Sequence, residues 1–114
     1  MDPQIINERR REPRYRGGGL PCFVAGLDMP GALDSAVIDF SSRGIGLMLD
    51  QRVPIGMFLE VALFDLERGA WVHKAAQVIH TRPESDGWYH AGGGLLVPLS
   101  GEEMERLIEA GGLA

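Results

Sequence analysis

Five arginines crowd one short stretch, Arg9, Arg10, Arg11, Arg14 and Arg16, with only Glu12 opposing them. A guanidinium offers a planar fork of donors that pairs with phosphate oxygens or with the O6/N7 edge of guanine. Its flat face also stacks on a base. In an extended chain, the even separation of Arg10 and Arg14 puts both side chains on one side. They then stand about 13 Å apart, at about 3.3 Å per residue. That reach suits two parts of one nucleotide-sized ligand. The same spacing also occurs in an arginine-rich tail that stays solvated.

A second group follows in the run from Val37 to Leu47, where Asp39, Ser41 and Gly44 stand in D-x-S-x-x-G spacing. Strand alternation sends Ala36, Ile38 and Phe40 to one face and Val37, Asp39 and Ser41 to the other. With Phe40 in the core, Asp39 and Ser41 stand together outside. A carboxylate accepts hydrogen bonds, so Asp39 complements the N1–H and amine of guanine rather than phosphate. Ser41 donates or accepts at short range. Gly44 clears the backbone for close approach. An ordinary hairpin, with solvated strand-end residues and a turn glycine, uses the same residue types.

These groups need elements to hold them. The residues 1–19 read as a basic arm ending in a glycine hinge, Gly17–Gly19, and Pro13 biases Glu12 towards an extended conformation. Six strand-like runs follow, at about Cys22–Leu27, Ala36–Ser41, Ile45–Leu49, Met57–Leu66, Trp71–Thr81 and Trp88–Val97. Turn chemistry such as Ser42-Arg-Gly44 and Pro83-Glu-Ser-Asp-Gly87 separates them. This spacing predicts an all-β barrel or sandwich over 20–99. A C-terminal helix occupies 100–114: Ser100 and Glu103 have capping-box spacing, Met104, Leu107 and Ile108 form one apolar stripe, and Gly111 reads as a left-handed stop.

The 114 residues suit one domain, and 45% hydrophobic with 24% charged residues is the composition of an ordinary soluble globule. No apolar run is long enough for a membrane helix, and Met1–Asn7 lacks a secretory pattern. A lone Cys22 excludes an intramolecular disulfide and a cysteine-rich metal site. A cytoplasmic protein is the simple reading. Net charge is −5, yet the Arg9–Arg16 window is +4 and the remainder −9. That remainder argues against wide contact with nucleic acid.

Catalysis is not indicated. His73, His80 and His90 lie seven and ten apart with no H-E-x-x-H pattern. His73 and His80 are expected on opposite faces of one strand, as edge or surface residues. Trp71, Trp88 and Tyr89 read as packing or rim residues.

In this order, Arg9-Arg10-Arg11-Glu12-Pro13-Arg14 and Asp39-Phe40-Ser41-Ser42-Arg43-Gly44, followed by Ile45-Gly46-Leu47, resemble the PilZ family over about Glu8 to Ile108. The resemblance implies a six-stranded antiparallel β-barrel plus a C-terminal α-helix, binding cyclic di-GMP on its outer surface. It implies that the arginine arm wraps the ligand through Arg10 and Arg14, while Asp39, Ser41 and Gly44 hold a guanine. In the family, an arginine just before the first motif arginine accompanies an intercalated ligand pair, so Arg9 implies two molecules per site. A glycine of the final strand often lies near the ligand, with Gly92, Gly93 and Gly94 as candidates here. The expectation is a non-enzymatic bacterial receptor that passes its signal to a partner protein. The alternative is a PilZ-like scaffold that serves protein partners without nucleotide.

Overall fold

The computed structural model describes residues 13–111. Seven strands run β1 (Tyr15–Arg16), β2 (Cys22–Gly26), β3 (Ser35–Phe40), β4 (Gly44–Leu49), β5 (Phe58–Asp65), β6 (Ala70–Ser85) and β7 (Trp88–Leu95), followed by helix α1 (Gly101–Gly111). They form one antiparallel sheet in the order β1-β3-β4-β7-β6-β5-β2. Its curl brings β2 back towards β3. There the Leu33 N–H donates to the Val24 carbonyl at 2.8 Å and bridges the seam. The expected barrel-like sheet with a terminal helix is therefore present. The difference is a seventh, two-residue strand, β1, laid along the edge of β3.

The inside is filled by alternate residues of every long strand, among them Val24, Phe40, Leu47, Leu59, Val61 and Val78, all at most 2% exposed. Two strands break strict alternation. A bulge lies between Val37 and Asp39 in β3, so Val37 and Phe40 are both buried and Ile38 is the additional residue. Another lies between Val78 and His80 in β6, leaving Ile79 and His80 both exposed. The expectation that Val37 faces outward with Asp39 is thus corrected by the first bulge. The expectation that His73 and His80 oppose each other is corrected by the second.

Pro83 does not end β6, which continues to Ser85 and pairs Pro83 with Tyr89. A further register shift there accommodates the proline, as bulges do. The turn beyond uses Asp86 and Gly87, both at positive φ (46° and 84°), as a tight two-residue hairpin requires.

Helix α1 begins as its sequence predicts. Glu103 N–H donates to Ser100 Oγ at 3.0 Å, and Ser100 N–H donates to Glu103 Oε1 at 2.9 Å. Lys74 of β6 adds an ion pair to Glu103 at 3.0 Å and donates to the Pro98 carbonyl. Leu107 is fully buried, with Met104 and Ile108 packed beside it. Gly111 is not a left-handed stop. It remains helical and buried, packed so closely on Leu20 that a Cβ there would strike that residue's side chain and backbone. No helix among the described residues is long and apolar enough to cross a membrane.

Candidate functional site

On the outer face, four neighbouring strands place four residues in one row: Asp39 of β3, Gly46 of β4, Gly92 of β7 and His80 of β6. The adjacent row pairs Gly44 with Gly94. The two middle strands therefore present a strip of backbone without side chains. Asp39 leans over Gly46 from one side, and the Nε2 end of His80 lies over Gly92 from the other; a Cβ on either glycine would collide with them. Gly93 instead points inward against Ala76 and Ile45. Among the three final-strand candidates, Gly92 and Gly94 thus belong to this face, and Gly94 is the more open. The strip floors a cavity of about 400 Å³, walled also by Arg14, Arg43, Arg82 and His90. That volume is within the common range for small-molecule sites.

Arg14 reaches the cavity because β1 docks the chain just after it. Tyr15 pairs with Phe40 and Arg16 with Asp39, and the Tyr15 and Phe40 rings lie 5.9 Å apart. The stretch read as a glycine hinge is also engaged here. Gly17 N–H donates to the Ile38 carbonyl at 3.1 Å, and Gly17 sits where any side chain would strike Val37. Arg14 Nη2 then meets Asp39 Oδ1 at 2.7 Å, and its Nη1 lies 3.4 Å from Ser41 Oγ. The ion pair is 45% and 34% exposed on its two sides. Such pairs contribute about 0–1 kcal/mol, so this one can be exchanged at small cost.

Ser41 occupies a different place from the expected solvated one. It is 2% exposed, its Oγ accepts from Gly44 N–H at 3.1 Å, and its own N–H donates to the Gly44 carbonyl at 2.9 Å. The strand ends at Phe40 and turns, so the alternation that would put Ser41 outside stops one residue before it. Its hydroxyl shapes the turn beneath Arg14. The structure thus brings together Arg14, Asp39, Ser41 and Gly44 of the expected residues. Arg9 and Arg10 lie outside the described residues.

The sequence reading missed the two histidines. His80 and His90 are diagonal neighbours on β6 and β7, with near-parallel rings (5°) and centroids 5.3 Å apart. Parity on β7 could have found His90, since it shares the outward face of Gly92 and Gly94. Nothing in the sequence marks the bulge that turns His80 outward. No group of three His, Cys, Asp or Glu that could hold a metal occurs among the described residues.

Burial, then the positive charge of Arg82 and the nearby His80, hold His90 below its ordinary value of 6.5, with Glu84 and Asp39 pulling the other way. The folded protein therefore favours neutral His90. Its contribution to stability is complete above pH 6.5 and is lost as pH falls from there through the lowered folded value. Thermal melts from pH 7.5 down to about 5.5 should show a steeper fall in Tm for the unaltered chain than for His90→Gln. Equal slopes would count against this role.

A family model described as PilZ domain matches residues 8–110. No curated protein matches the chain.

Proposed function

Because the chain belongs to the PilZ domain family, we propose that it binds cyclic di-GMP on the glycine-floored face and acts as a signalling adaptor, not an enzyme. The observation that carries this reading is the convergence of Arg14 and Asp39 over that floor, 2.7 Å apart and joined by an exposed ion pair. The two groups satisfy each other weakly, and a guanine nucleotide offers each a better partner. Phosphate takes the guanidinium in charge-assisted hydrogen bonds, and the N1–H and amine of guanine donate to the carboxylate. Ser41 and Gly44 hold the turn that keeps this approach open. Arg10 acts with Arg14 from the arm to wrap the ligand, and Arg9 just before it brings two ligand molecules to the site.

The readout passes to a protein partner. Arm closure covers the ligand and neutralises much of the +4 charge of the Arg9–Arg16 window, which changes the surface offered to that partner. The protein acts in the bacterial cytoplasm, where this nucleotide is made.

Isothermal titration calorimetry with cyclic di-GMP, and with GTP and cyclic di-AMP as controls, tests the reading. Saturable heat with cyclic di-GMP alone is expected, with a stoichiometry near two if Arg9 acts as proposed. Folded protein giving no heat at several temperatures would instead point to a scaffold that serves protein partners without nucleotide.

A further inference from the structure

We infer that His80 and His90 form a stacking platform for a purine base, and so are further binding residues of this site; the inference rests on the nucleotide reading above. The two rings are already arranged as a short stack, 5.3 Å between centroids and 5° from parallel. His80 stands on the wall of the glycine strip opposite Asp39, and His90 rises beside it from β7 with its Nε2 reaching towards Gly46. Three strand spacings of about 4.8 Å separate Asp39 from His80, about 14 Å between Cα atoms. Both side chains lean inward over the intervening glycines, which narrows that gap towards the width of a base. A purine laid against the exposed His80 ring extends the stack and turns its polar edge towards Asp39 and Arg14.

Stacking fits the wall better than phosphate capture does. Arg14, Arg43 and Arg82 already line the cavity. The two imidazoles, laid ring to ring, present a flat face instead, on which a base stacks without needing a particular edge. The polar edge is then read elsewhere, by Asp39. His80 is exposed and His90 half-buried, so the outer ring is free to meet a ligand while the inner one supports it. Gly92 is required for this arrangement, since a side chain there would displace the His80 ring.

The test uses the full chain in two measurements with cyclic di-GMP. In calorimetry, His80→Ala should weaken binding about ten-fold, within the range for a lost base–aromatic stack, and His80→Phe should restore most of it. In proton–carbon NMR, the ring signals of His80 and His90 should move upfield on titration, while those of His73, on a distant part of the same strand, stay fixed. Normal melting of the variants shows that they fold. If His80→Ala binds as tightly as the unaltered chain, or His80→Phe is as weak as His80→Ala, the platform is overturned while the receptor reading stands. A third outcome, no binding by the unaltered chain, overturns both.

Discussion

Arg14→Ala is expected to weaken cyclic di-GMP binding by about 100-fold while leaving Tm nearly unchanged. The loss follows from chemistry: a bidentate, charge-assisted contact to phosphate is removed, and Asp39 is left to approach an anionic ligand without its neighbouring cation. The small stability effect follows from geometry. Arg14 is exposed and, among the described residues, its side chain makes its polar contacts with Asp39 and Ser41, an ion pair worth about 0–1 kcal/mol. Arg14→Lys should recover only part of the affinity, because it restores the charge without the fork. Calorimetry on both variants decides the matter. Retention of affinity within about three-fold in Arg14→Ala would remove this residue from the site.

Phe40→Ala is expected to lower the unfolding free energy by about 3–5 kcal/mol, read from urea denaturation. Phe40 is fully buried, and its ring supports Tyr15 and approaches Gly17, so it is also the seat on which β1 docks. A domain of this size has a total stability of about 5–15 kcal/mol, so the variant should be at or near unfolding. Phe40→Leu, which keeps most of the volume, should cost about 1 kcal/mol and serves as the folded comparison. In that variant the loosened seat should make Arg14 less well positioned. A loss below about 1 kcal/mol in Phe40→Ala would mean that the strand is held by something other than this ring.

Most of the architecture was legible in the sequence because the punctuation is chemical. Ser42-Arg-Gly44 and Asp86-Gly87 mark turns by the residues that tolerate them, and Ser100 with Glu103 marks a helix start by a reciprocal pair of hydrogen bonds. What was not legible is what depends on neighbours. Strand β1 is two residues long and exists because Tyr15 finds Phe40, which no local propensity announces. Gly111 carries the composition of a stop but fills a gap beneath Leu20. Of the site, Asp39 and Arg14 could be read from type and spacing. Ser41 was identified as a residue of interest but misplaced, because alternation was extended past the end of the strand. His90 follows from parity on β7, but its meeting with His80 was not legible, since that depends on the pairing offset of β6 and β7 after a slip in register.

The two bulges flank the glycine strip, one just before Asp39 and one just before His80. Each consists of an additional isoleucine, Ile38 or Ile79, opposite a strand that does not need it. In a line of descent, most single-residue gains or losses within a strand would turn every later side chain to the wrong face. At these two positions the chain can shorten by one and keep Asp39, His80 and everything after them where they are. Length variation among relatives should therefore gather at these isoleucines, leaving the chemistry of the face to change by substitution alone.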